Sequence, residues 1–100
     1  MLRIDDYIRT TDGRIGKYLI HNNADYIVTN DKRIEIDSKD IKKYSDKLID
    51  IVEMNDIVNG KKVIAIMDNI QLVLENNENV YEENIKTILT KENKYYEKEC

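Results

Sequence analysis

Short β-branched runs, each stopped after a few residues by an Asn, Asp or Gly turn, constrain the fold of this chain more than any other feature of its sequence. An amphipathic helix needs an apolar stripe sustained over roughly ten residues, whereas a strand needs only brief alternation between turn signals. Residues 7–36 are punctuated by Asp12-Gly13, by His21-Asn22-Asn23-Ala24 and by Asn30-Asp31-Lys32, and the runs between them read as strands. Ile34 and Ile36 alternate with charged neighbours, which puts both on one face. Pro, Phe and Trp are absent, so Ile, Val and Leu must build the core, and that bias again favours strands.

Beyond the turn residues Asp37 and Ser38, residues 40–44 read as a helical turn leading into a short strand. Residues 45–53 satisfy helical and strand spacing alike and are assigned to a connector. The second half then restarts with 56–58, the type I′ signal Asn59-Gly60 and a strand over 61–67. A turn at Asp68-Asn69, an alternating run over 70–74, a turn over 75–78 and runs at 80–81 and 84–89 follow. Asp6-Tyr7-Ile8 matches Asp56-Ile57-Val58, and Asp40-Ile41-Lys42 matches Asn84-Ile85-Lys86, so the chain contains an internal repeat.

The expected fold is therefore mainly β: two tandem small SH3-like barrels packed together, with a short helical connector and a C-terminal tail. The first repeat is assigned to residues 1–46, the connector to 47–55, the second repeat to 56–90 and a charged tail, expected as a short helix, to 91–100. Each half has only about 40 to 45 residues, near the size at which an isolated core is marginal, so the two are expected to pack on one another. One continuous antiparallel sheet or barrel spanning both halves is the rival architecture.

The net charge of −4 is uneven: residues 1–50 carry ten basic and ten acidic side chains, residues 51–100 six and ten. An overall acidic chain repels a phosphate backbone, which disfavours a general nucleic-acid binder. No run approaches the roughly 18 apolar residues of a membrane helix, and the charged start at residues 1–6 lacks a signal-peptide apolar region, so a cytoplasmic location without membrane contact is expected. The single cysteine, Cys100, allows no intrachain disulfide.

Catalytic parts are sparse. His21 is the only histidine and lies in a polar turn, there is no CxxC or HExxH, and neither Ser38 nor Ser45 sits in a nucleophile elbow. The three glycines, Gly13, Gly16 and Gly60, form no phosphate loop. Asp5-Asp6 and Glu82-Glu83 are adjacent pairs whose side chains point to opposite faces of a strand. The reading is a non-enzyme with no cofactor and no metal. Two charged clusters remain as interaction candidates, a basic one at Lys39, Lys42, Lys43 and Lys47 and an acidic one at Glu75, Glu78, Glu82 and Glu83. Tyr18, Tyr26 and Tyr44 lie near the first, either to enrich an interface or to fill the core in place of Phe.

The string from Asp6 to Lys17, the segments 48–53 and 56–60, and the ending 85–92 together resemble a group of small uncharacterised prophage proteins of low-GC Gram-positive bacteria. The likeness runs in order through most of the chain. It implies a mobile-element setting, in which small acidic accessory proteins bind host proteins, defence nucleases among them. The expected function is a phage-derived protein-binding module that inhibits a host defence nuclease in the manner of an anti-CRISPR, its partner a host protein alone or in a nucleoprotein complex. Gly13-Arg14-Ile15-Gly16-Lys17 resembles the Gly-x-x-Gly core of KOW-type barrels, which makes a nucleic-acid or ribonucleoprotein adaptor the alternative, beside a phage structural or assembly protein.

Overall fold

In a computed structural model, which describes residues 1–68 and 70–98, the turn signals end the strands much where expected. Cys100, and Asn69 of the expected Asp68-Asn69 turn, lie outside the described residues. The first half contains β1 (Tyr7–Thr10), β2 (Ile15–His21), β3 (Ala24–Thr29), β4 (Lys32–Ile36) and β5 (Ile41–Ser45), with a 3₁₀ turn at Ser38–Asp40 before β5. The second contains β6 (Ile57–Val58), β7 (Lys61–Met67), β8 (Gln71–Leu74), β9 (Asn79–Tyr81), a 3₁₀ turn at Glu82–Asn84, then β10 (Thr87–Leu89) and β11 (Tyr95–Glu97).

The strands form two antiparallel sheets, ordered β4-β3-β2-β1-β5 and β11-β10-β6-β7-β8-β9. Among the described residues, no single sheet runs through both halves. Both sheets are open, with edges at β4, β5, β11 and β9, so the pairing does not give the closed barrels expected from the sequence. In each half the strand after the 3₁₀ turn returns to pair with the first, β5 on β1 and β10 on β6.

The repetition extends to single hydrogen bonds. Asp5 and Asn55 hold matching positive φ angles of 73° and 74°, and each is followed by an aspartate whose Oδ2 accepts the backbone N–H three residues back, Arg3 for Asp6 and Glu53 for Asp56, both at 2.8 Å. A second pair of turns also matches. In Thr10–Arg14 and Thr90–Lys94 the threonine Oγ1 accepts the N–H four residues on, at 3.0 Å in each, while Gly13 and Asn93 take positive φ.

Two expected elements differ. The connector holds a four-residue 3₁₀ turn, Leu48–Ile51, too short to be a helix in its own right. It is the centre of the molecule rather than a link, since Leu48, Ile49, Ile51 and Val52 are all buried in the main core. The tail forms strand β11 instead of a helix, because the Thr90 turn folds it back on β10 and strand alternation buries Tyr96 between exposed Tyr95 and Glu97.

The core is lopsided. The main cluster joins the connector to Val58, Val63, Leu72, Leu74, Val80, Ile85 and Ile88 of the second half and includes Ile15 from the first. The first half keeps a small cluster of its own, Ile8, Tyr18 and Ile27, edged by the partly buried Leu2, Ile34, Ile36 and Ile41. Among the described residues no helix is long and apolar enough to cross a membrane.

Candidate interaction surfaces around a buried charge cluster

Arg9 and Ile15 are cross-strand partners and share one face of the first sheet, the face that meets the second half. That placement buries Arg9 completely. A guanidinium out of water must find carboxylates, and Arg9 finds several. Its two terminal nitrogens form a fork on Asp56 at 2.5 and 3.0 Å, Nη1 also donates to the Ile51 carbonyl at 3.2 Å, and Nη2 donates to Glu92 at 3.0 Å. Glu53 Oε1 lies 3.6 Å from Nη2, and the carboxylate also meets three ammonium groups, Lys91 at 2.8 Å on Oε1 and Lys42 at 3.0 Å and Lys43 at 3.3 Å on Oε2.

The cluster thus sets the cations Arg9, Lys42, Lys43 and Lys91 against the carboxylates Glu53, Asp56 and Glu92, and it ties β1 and β5 to the connector, the start of the second half and the β10–β11 turn. Burial works to raise the Glu53 pKa, but Lys91, Lys42, Arg9 and Lys43 outweigh it and bring it down to about 2. Burial likewise opposes the charge on Arg9, and Asp56, Glu53 and Glu92 more than restore it, leaving its pKa raised.

This arrangement decides how much of the basic patch faces outward. A register shift between β1 and β5 pairs Arg9 with Lys43 and Thr10 with Ile41, so Lys42 is the extra residue of a bulge. The bulge lets two consecutive lysines reach the same carboxylate. Lys39 is exposed, its ammonium 3.8 Å from Asp37, and Lys47 is exposed. The four lysines therefore divide into two paired with Glu53, their side chains still 39% exposed, and two at the surface without that partner.

The acidic patch divides as well. Glu82, partly buried, accepts the backbone N–H groups of Leu48 and Ile49 at 3.2 and 2.8 Å, capping the connector's 3₁₀ turn. Glu75, Glu78 and Glu83 are exposed. Lys61, with Asn76, holds the Glu78 carboxyl below its usual range through contacts at 2.8 and 3.5 Å.

The remaining candidates serve structure or face solvent. His21 is exposed at the end of β2. Ser45 donates to Asp50 at 2.5 Å. Of the tyrosines, Tyr18 is buried and donates to Asp25, a bond that with burial pushes its pKa up to about 12, Tyr26 lies beneath the Arg33 guanidinium at 5.1 Å, and Tyr44 is about half exposed. Gly16 marks a close backbone approach rather than a bulge, since a Cβ there would meet the Val28 carbonyl oxygen at 2.4 Å and β1 pairs with β2 in regular register. Among the described residues, no group of three or more His, Cys, Asp or Glu is placed to hold a metal ion. Set against known proteins, the chain matches no family model, no curated protein and no solved structure.

Proposed function

We propose that the chain is a non-enzymatic, phage-derived protein-binding module that inhibits a host defence nuclease, and that its acidic rim makes the contact. The observation that carries this reading is the division of the charged patches. Lys42 and Lys43 both pair with Glu53, whereas Glu75 and Glu83, exposed on the second half, have no ion-pair partner among the described residues, and Glu78 is exposed beside Lys61. Carboxylates on a rigid frame present the charge that a nuclease groove is built to receive from phosphate. The resemblance to prophage proteins supports the setting. The strand order of each half, with the last strand returning to the first after a 3₁₀ turn, supports relating the halves to small SH3-like barrels opened along one seam.

The KOW-like alternative needs a free Gly-x-x-Gly loop, and Gly13 instead packs against Thr90 and Glu92. The test is cleavage of target DNA by a purified RNA-guided nuclease of a low-GC Gram-positive host, with and without the protein. Inhibition that is lost on Glu75→Lys, Glu78→Lys and Glu83→Lys together supports the proposal. Inhibition indifferent to all three, or tight binding to bare DNA or RNA in a gel shift at physiological salt, would sink it.

A further inference from the structure

Among the described residues the two open sheets present four edges, and three of them are occupied or short. β11 is covered by Asn30, whose side chain donates to the Tyr95 carbonyl at 2.8 Å and accepts the Glu97 N–H at 2.9 Å. β5 is fastened beside the connector by Ser45 on Asp50 and by its lysines on Glu53. β9 has three residues. β4, with five residues and the side chains of Lys32, Arg33 and Glu35 exposed, is the long open edge. Such an edge is a template for another strand unless its charges forbid pairing.

The turn fixes which backbone groups are free. Asn30 and Asp31 both have positive φ, 49° and 67°, making the two-residue turn whose flanking pair, Thr29 and Lys32, exchanges both hydrogen bonds. Alternation then commits Ile34 and Ile36 to β3 and directs the N–H and C=O of Arg33 and Glu35 outward.

We infer that β4 pairs with β4 of a second copy of this chain, antiparallel and centred on Ile34, to give a weak symmetric dimer with one sheet continuous across the two-fold axis. Charge selects the partner and the register. Centred on Arg33 or on Glu35, the strand would set like charges opposite each other. Centred on Ile34, Arg33 of each copy faces Glu35 of the other, and the outward groups of both residues meet as hydrogen-bonded pairs. Ile34 then lies against its own copy on the face that carries the first half's thin cluster, and the strand ends before Asp31 and Asp37. The mixed signs that repel an arbitrary strand admit this one.

A five-residue strand pair buries less than the ~1,000 Å² of a stable interface, so association is expected in the range of about 0.1–1 mM. Sedimentation velocity across that range, with amide exchange of the β4 residues, tests it. Arg33→Glu and Glu35→Arg each set like charges in opposition and are expected to weaken the dimer by roughly tenfold or more, while an equimolar mixture of the two variants, now complementary, associates again. Glu35→Pro removes an outward N–H without touching the β3 ladder and should abolish the dimer with the fold retained. A wild-type chain that stays monomeric throughout, a dimer unchanged by the single charge reversals or by Glu35→Pro, or a mixture that fails to reassociate would overturn the inference.

Discussion

Asp6 and Asp56 occupy the same turn in the two halves, yet only one of them carries a buried arginine, and that difference makes a quantitative test of the charge cluster. Asp6 Oδ2 accepts the Arg3 N–H. The Asp56 carboxylate accepts that same turn bond from Glu53, two bonds from Arg9 and one from the Lys91 N–H at 3.1 Å, and it is fully buried. In Asp56→Asn the amide keeps one acceptor oxygen and turns two donors toward a guanidinium that can only donate. Breaking a buried ion pair by removing one partner costs about 3–5 kcal/mol, whereas Asp6→Asn, which loses a single charge-assisted bond at a turn, should cost about 1–2 kcal/mol. Urea unfolding followed by circular dichroism reads both. With a slope of about 1–2 kcal/mol per M, Asp56→Asn should lower the midpoint by roughly 2–3 M and Asp6→Asn by about 1 M. Equal costs for the two substitutions, or an Asp56→Asn cost below about 1 kcal/mol, would refute the view that Arg9 and Asp56 lock the halves together.

Acid should loosen the same cluster. Glu53 sits at about 2 against an ordinary value of 4.5, so its contribution is full above about pH 5 and is lost as pH falls toward 2. Its loss removes at most about 3 kcal/mol, and Glu53→Gln should flatten that limb of a stability-against-pH curve. The glycines give an independent check by thermal melting: Gly16→Ala drives a Cβ onto the Val28 backbone and should cost about 1–3 kcal/mol, more than Gly60→Ala, which meets open space and carries only the strain of φ +85°.

Much of the strand pattern was legible because turn chemistry is local. Asn59-Gly60, Asn30-Asp31 and the alternation of Ile34 with Ile36 each carry their meaning within a few residues. The connector misled because its Leu48, Ile49 and Ile51 are buried from several sides at once, which erases any single-faced period. The tail misled through composition, since Lys and Glu are good helix formers, whereas the deciding signal was Thr90 with Asn93, a repeat of Thr10 with Gly13. The pairing of Lys42 and Lys43 with Glu53 was not legible, since nothing near Lys42 in sequence announces Glu53 eleven residues on.

Arg9 itself lay in a strand between Ile8 and Thr10, where a charge on an alternating face normally points to water. It is buried because that face of the first sheet is covered by the second half, and once covered, an arginine persists only if carboxylates converge on it from elements distant in sequence. Asp56 supplies one from the repeated turn that opens the second half, and Glu92 another from the repeated turn that closes it. The matching side chains in the first half, Asp6 and Thr10, make only local hydrogen bonds. Each turn thus occurs twice in the chain, and in the second half its carboxylates hold Arg9 of the first. A lock built this way holds the halves in one relative geometry, which is what a surface of fixed charges needs in order to recognise a partner rather than merely attract one.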